Sequence, residues 1–310
     1  MNVLLLGGSG HFGGRIGRRL ERVDGINVAA PGRDSLDIDA PDLALRVRSF
    51  EPDVVIHTAG PFQGQEFVVA KACIEAGCHY VDLADGREFV NNFSSLDAAA
   101  KEAGVTLVTG ASTLPGISSS VIESQRARFE QIESIEISIA PAHQTPRGLG
   151  TVRAVLSYCG KPFTFLRDGK RRRVYGWQDL RRQHYPQLGR RLSGACDVPD
   201  LDLVPAHVAG LQTLSFHAAL EAWWEQLSLW LMAGLVRMKL VRDWNGMAQP
   251  FANLSERTLT LGSDRGGMHI RISGTGPERN QKRVDWYLVA DDNHGPETPC
   301  TPSIIVMKKI

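Results

Sequence analysis

The feature that most constrains this chain is a short glycine pattern near its start. Gly8-Ser9-Gly10-His11-Phe12-Gly13 has the spacing GxGxxG, directly after the apolar run Val3-Leu4-Leu5-Leu6 and directly before a helical pattern over 13–23. Strand, glycine turn and helix in that order open a βαβ dinucleotide-binding unit. Gly8 is expected to permit the tight turn, Gly10 to let the backbone approach a pyrophosphate, and Gly13 to let helix and strand pack closely. Gly7, Ser9, His11 and Phe12 complete the loop, and amides at the helix start would bind the phosphates. Glycines at this spacing also occur in ordinary strand–helix turns, so the flanking pattern carries the reading.

The next hundred residues continue the alternation. Residues 26–30, 53–58, 79–83 and 105–109 read as short strands, and 65–76 and 88–103 as helices between them. Alternation of this kind predicts a parallel sheet with helices on both faces. The character changes near Pro115-Gly116. Residues 132–140 alternate Ile135, Ile137 and Ile139 with polar side chains, and 257–261, 268–273 and 283–290 do much the same. Consecutive half-exposed strands of this kind predict an antiparallel sheet. The expected fold is therefore α/β: a Rossmann doubly wound parallel sheet over 1–118, then an α+β domain with a mainly antiparallel sheet over 119–295. The last stretch, 301–310, reads as a helix start with Thr301 as N-cap and Pro302 at the first helical position. It has no C-cap, which suggests a chain shorter than its ancestral domain.

The end of the second strand identifies the nucleotide. An acidic residue there suits a ribose 2′-hydroxyl, whereas arginine suits a 2′-phosphate. The turn is Pro31-Gly32-Arg33-Asp34, so Arg33 points to NADP rather than NAD. Asp34 and Asp37 lie close enough to support the opposite choice, and Arg33 also fits a solvated surface arginine.

Composition narrows the function classes. The chain has 310 residues, enough for two cores, and 35 basic against 34 acidic residues leave a net charge of +1. Such balance gives no global attraction to nucleic acid or to an anionic membrane. No uninterrupted apolar stretch is long enough to span a bilayer, and the N-terminus shows no secretory leader. Five cysteines at irregular spacing, none in a CxxC, argue against a disulfide framework or a zinc site and for a reducing cytoplasm. No metal site is expected. Residues 167–191 carry nine basic residues against Asp168 and Asp179. That run reads as a solvated face first, and then as a site for anionic substrate or single-stranded nucleic acid. Residues 214–238, with Trp223, Trp224 and Trp230, read as a buried helix or a dimer contact.

One stretch is more specific. The loop Ala59-Gly60-Pro61-Phe62 and the segment Ala72-Cys73-Ile74-Glu75-Ala76-Gly77-Cys78-His79-Tyr80-Val81-Asp82-Leu83 resemble the saccharopine dehydrogenase-like family of NAD(P)-binding oxidoreductases. Gly150-Thr151-Val152, Cys196-Asp197-Val198-Pro199-Asp200 and Gly295-Pro296-Glu297-Thr298-Pro299 resemble bacterial members of that group. The resemblance implies a second domain for substrate and dimer contacts, and a C-terminal segment, 296–310, that returns to the first. It implies that Ala59, Gly60 and Pro61 lie near the nicotinamide ribose and that Asp82 and Asp85 face the active cleft. Saccharopine-forming enzymes carry G-x-D-P-G-I-D-H at the domain crossover. This chain has Ser112-Thr113-Leu114-Pro115-Gly116-Ile117-Ser118-Ser119, which keeps Pro-Gly-Ile and lacks the aspartates and the histidine. That departure argues against the saccharopine reaction itself.

Asp82 also earns its place from strand polarity, because ligands of doubly wound sheets bind at the carboxyl edge. A carboxylate there could orient substrate or move a proton, and it could equally be a helix cap. His57, inside an apolar strand, reads as a satisfied core histidine rather than a catalytic one. The expected function is an NADP-dependent oxidoreductase acting on a small, amino-acid-like or anionic substrate as a homodimer. Two alternatives remain: a non-catalytic NADP-binding redox sensor, and an atypical short-chain dehydrogenase. The second lacks its Tyr-x-x-x-Lys pair, since no tyrosine here has lysine four residues later.

Overall fold

The computed structural model describes residues 1–310. It divides the chain into two compact units, Met1–Ile117 with Pro296–Ile310, and Ser118–Gly295. The first unit starts with β1 (Asn2–Leu6), α1 (Gly13–Leu20), β2 (Asn27–Ala29), α2 (Leu43–Ser49) and β3 (Val54–His57). It continues with α3 (Val68–Ala76), β4 (His79–Asp82), α4 (Arg87–Asn92), α5 (Asp97–Glu102) and β5 (Leu107–Val108). All five strands are parallel, in the order β2-β1-β3-β4-β5. Val3 to Leu6 and Val54 to His57 are all buried, as strands covered on both faces must be. Helix α3 stops at Gly77, whose left-handed φ of 76° lets its amide reach back to the Cys73 carbonyl at 2.9 Å.

This order puts β2 on one side of β1 and β3 on the other. The connections diverge between β1 and β3, and that divergence opens a crevice at the carboxyl edge of the sheet. The glycine loop leaves β1 on that edge, and Thr58 to Pro61 leave β3 beside it.

The second unit begins with α6 (Ser118–Arg126), β6 (Gln131–Ala140), α7 (Leu149–Ser157), β7 (Pro162–Arg167), β8 (Lys170–Tyr175), β9 (Arg181–Tyr185) and β10 (Gly189–Ala195). It ends with α8 (Asp200–His207), β11 (Thr213–Ala219), α9 (Trp223–Arg237), α10 (Ala248–Thr258), β12 (Gly266–Thr275) and β13 (Gln281–Ala290). Its eight-stranded sheet runs β13-β12-β6-β11-β10-β9, with β7 and β8 paired beyond β11. Every pairing is antiparallel except β6 with β11. One face of the central strands holds Ile135, Ile137, Leu214, Phe216, Ile270 and Ile272, all buried.

Three expectations are corrected here. Residues 257–261 are not a strand. They finish α10, whose Ala248, Ala252 and Ser255 are buried at helical spacing, and five alternating residues were too few to decide the period. The terminal helix, α11 (Glu297–Met307), starts five residues earlier than a Thr301 cap implies and contains Pro302. Packing sustains it: Cys300 and Met307 are fully buried with Val3, Leu5, Ile16 and Leu20 in the core of the first unit. The Trp-rich helix α9 is not a core helix, since only Gln226 and Ala233 on it are buried. No helix is long and apolar enough to cross a membrane, and all five cysteines are free and buried.

Candidate functional site

The glycine loop is held in one shape by its own contacts. The tight turn falls on Gly7, with φ +81°, one residue earlier than the sequence pattern suggested. A Cβ on Gly7 would lie 2.7 Å from Thr58 Oγ1 and 2.9 Å from the Ala59 amide nitrogen, so a side chain is excluded by both conformation and space. A Cβ on Gly13 would overlap the Gly7 carbonyl oxygen and lie 2.6 Å from Thr58 Oγ1. Thr58 is the peg of this arrangement: its hydroxyl donates to the carbonyls of Leu6 at 2.8 Å and Gly7 at 3.2 Å. The Gly10 amide closes the turn on Gly7 O at 2.8 Å, and Gly10 is otherwise open to solvent.

Helix α1 then begins without a side-chain cap, although the Gly14 amide turns back to Gly10 O at 2.9 Å. Phe12 at its N-cap offers no side-chain bond, and the first turn holds no acidic residue. The first amides of a helix have no intrahelical acceptor, and the helix dipole favours an anion in front of them. Ser9 and Gly10 are exposed there, while His11 and Phe12 are half-buried. Burial, with the nearby Arg15 cation, lowers the His11 pKa and favours the neutral ring. On the far side Arg15 pairs with Glu297 of α11 at 2.7 Å, which ties the C-terminal segment to the loop's helix.

Arg33 follows β2 after the turn Ala30-Pro31-Gly32, and this turn abuts the glycine loop, because a Cβ on Gly8 would meet Ala30 Cβ at 2.7 Å. Its side chain is 76% exposed and lies 3.6 Å from Asp37 and 3.4 Å from Asp39. Such exposed pairs contribute little and yield readily to a better anion.

The edge of β3 and β4 carries the remaining candidates. Leu6, His57 and Asp82 lie in register across β1, β3 and β4. Gln65 bridges inward from its loop: its amide nitrogen donates to Ala59 O at 3.1 Å, so its Oε1 accepts from His57 Nε2 at 3.0 Å. That network assigns the proton of His57 to Nε2. Burial pushes the His57 pKa down to about 4, so the ring is neutral at pH 7. Gln65 thereby fixes the Ala59-Gly60-Pro61 loop against the sheet.

Asp82 is fully buried. Its Oδ1 accepts from the amides of Gly110 at 2.7 Å and Ala84 at 2.9 Å and from the Thr109 hydroxyl at 3.0 Å, while Oδ2 accepts from Tyr80 at 2.9 Å. Burial pushes its carboxyl up to about 6, against those four bonds. Asp85, three residues on, is exposed. Its Oδ1 accepts from Gln63 Nε2 at 3.1 Å, and desolvation by the surrounding protein still raises its pKa. The two carboxylates thus occupy different settings, one sealed in the sheet edge and one reachable by solutes. The sequence singles out both carboxylates as candidates and gives no signal for Thr58, Gln65, Tyr80, Thr109 and Gly110, which hold the loops in place.

Residues 33–108 match the saccharopine dehydrogenase NADP binding domain. That stretch of the dinucleotide-binding unit is similar to the saccharopine dehydrogenase-like NAD(P)-binding proteins. Among solved structures, the saccharopine dehydrogenase (L-Glu forming) of Saccharomyces cerevisiae matches with a TM-score of 0.68 and 17% identity, over 99% of this chain and 90% of that one. An amine dehydrogenase from Mycobacterium smegmatis matches with a TM-score of 0.47 and 12% identity, over 97% and 88%. At 17% identity the likeness to the yeast enzyme shows the fold alone. No curated protein matches the sequence. Within the saccharopine dehydrogenase-like unit, the family match begins at Arg33 and spans the Ala59–Pro61 loop and both aspartates.

The basic run of the second unit becomes strands rather than a loop. Arg167 and Arg181 pair with Asp179 at 2.5 and 3.5 Å, Arg181 with Glu136 at 3.2 Å, and Arg191 with Glu221 at 3.5 Å. His217 meets Asp179 at 3.1 Å and His269 meets Asp285 at 2.7 Å on the same polar sheet face. Lys170 to Arg173 stay exposed on β8.

Proposed function

We propose that this protein is an NADP-dependent oxidoreductase that transfers a hydride to or from a small anionic or amino-acid-like substrate. The observation that carries the reading is the glycine turn at the β1–β3 divergence, backed onto Thr58 and opening on an uncapped helix start, with Arg33 at the end of β2. The bound nicotinamide would supply the hydride. The amides of His11 to Gly13 would hold the pyrophosphate, Arg33 the 2′-phosphate, and Ala59, Gly60 and Pro61 the nicotinamide ribose. Asp85 is the carboxylate placed to exchange a proton with a solute, and its raised pKa keeps a proton available nearer neutrality. Asp82 is a positioning residue for the loops on either side of it. A homodimer belongs to the same reading, and five free, buried cysteines fit a reducing compartment such as the cytoplasm. NADPH oxidation against a panel of keto acids and imines tests the reaction, and no turnover with intact NADPH binding would favour a sensor.

Arg33 carries a separable prediction. A guanidinium can give the dianionic 2′-phosphate paired, charge-assisted bonds; with a net contribution of ~1.5–3 kcal/mol, Arg33→Ala is expected to weaken NADP(H) binding by roughly 10- to 150-fold. NAD(H) presents only a hydroxyl and should change little. Calorimetric titration of both cofactors checks this, and parallel losses for both would remove Arg33 from the 2′ site.

A further inference from the structure

We propose that the outward face of α9 is a self-association surface that seats a second copy of this chain. At 100° per residue, Trp223, Trp224, Leu227, Trp230, Leu231 and Met238 fall within one arc of roughly 120°, and no charged or polar residue interrupts it. Trp223 is 67% exposed, Leu231 59% and Met238 61%. The inward side is anchored by polar bonds as well as by packing. Gln226 is fully buried and accepts from the Leu220 amide at 3.0 Å, and Glu225 meets Arg147 at 3.4 Å. Leu229 and Met232 pack inward against Val152, Leu156, Ala248 and Ala252, and Ala233 is fully buried, so α9 is apolar on both sides and its outward arc is left uncovered.

That exposed surface, with Leu240 just beyond the helix, amounts to roughly 700 Å². This exceeds the ~300–600 Å² of an ordinary monomer's largest apolar patch and approaches the ~800 Å² each partner gives to a stable interface. A twofold contact requires a patch that fits itself, and an arc without charge meets its copy without repulsion. Gly234 lies in the middle of the arc with open space at its Cβ position, so two helix backbones can approach there. A lipid surface fits less well. Helices that lie on membranes carry cations along their polar flanks, whereas here Arg237, Lys239 and Arg242 sit only at the C-terminal end and Arg237 stacks on Tyr175 at 4.5 Å.

The inference rests on the homodimer reading and is independent of the redox one. Light scattering in detergent-free buffer at micromolar concentration should give twice the chain mass for the wild type. Leu231→Asp puts a charge where a monomer already exposes the side chain. It is expected to weaken the dimer by at least ~100-fold while leaving thermal unfolding of the monomer and NADPH binding intact. Gly234→Leu, which fills open space, should weaken it as well. A wild type of single-chain mass, a dimer unmoved by Leu231→Asp, or flotation of the protein with phosphatidylglycerol vesicles would each overturn the assignment. NADPH titration of the same samples reports on the cofactor site separately.

Discussion

Gly13→Ala is expected to cost both stability and cofactor binding, and Gly10→Ala to cost chiefly binding. The added methyl at position 13 would overlap the Gly7 carbonyl and press on Thr58 Oγ1, and neither can yield freely. Gly7 is fixed by its left-handed turn, and Thr58 by its two bonds to the Leu6 and Gly7 carbonyls. Relief must come from moving α1 away from the loop. Overpacking of this kind costs about 1–3 kcal/mol, and a displacement of order 1 Å at the helix start misdirects the amides that hold the pyrophosphate, which can cost ~100-fold in function. At Gly10 an added Cβ meets only Gly7 O, at 3.0 Å, a tight contact that a shift of a few tenths of an ångström relieves, so the stability cost is much smaller than at Gly13. The methyl would instead stand where the phosphate backbone must approach. Thermal unfolding and NADPH titration of the two variants separate the effects. A Gly13→Ala protein with wild-type melting and wild-type affinity would show that the loop is softer than its contacts imply.

The contrast between these glycines shows what the sequence could disclose. The spacing GxGxxG and the apolar run before it mark the turn because both follow from backbone sterics, which a linear pattern records. Thr58, the peg that makes the spacing necessary, belongs to no motif; it matters because β3 neighbours β1, and adjacency in a sheet is not written along the chain. The same holds for Gln65, Tyr80, Thr109 and Gly110, which gather around His57 and Asp82 only after the sheet forms. Arg33 was legible because it follows a recognisable strand end.

The second unit was harder to read for a different reason. Strands β8 to β10 alternate poorly because Lys170 to Arg173 are exposed at successive positions of the edge strand β8, while Arg181 and Arg191 are paired to Asp179, Glu136 and Glu221 rather than left to solvent. Charge in those segments therefore looked like a solvated run instead of a half-buried ladder. Helix α9 misled in the opposite sense. Its apolar content runs round the whole helix: Leu229, Met232 and Ala233 are used inward, and Trp223, Leu231 and Met238 are left facing out, which the linear pattern does not distinguish.

Asp82 gives the second large effect. Asp82→Ala is expected to destabilise the first unit by about 3–5 kcal/mol, because the buried amides of Ala84 and Gly110 and the hydroxyls of Tyr80 and Thr109 lose their shared acceptor. Asp82→Asn should behave quite differently. Its amide oxygen can accept the same three bonds as Oδ1, and its nitrogen can donate to the Tyr80 oxygen, so the network survives with the charge removed. The sign of the pH dependence follows from the raised pKa. Folding favours the protonated acid, with the folded pKa about 6 against 3.8 unfolded. The stabilisation from proton uptake is complete below pH 3.8 and is lost as the pH rises through about 6; at ~1.4 kcal/mol per unit it amounts to about 3 kcal/mol. Asp82→Asn should remove that component of the fall in stability between pH 4 and 7 and leave kcat close to wild type, as befits a brace. A folded Asp82→Asn protein that binds NADPH normally but has lost turnover, with the pH dependence of its melting unchanged, would instead return Asp82 to the reacting centre.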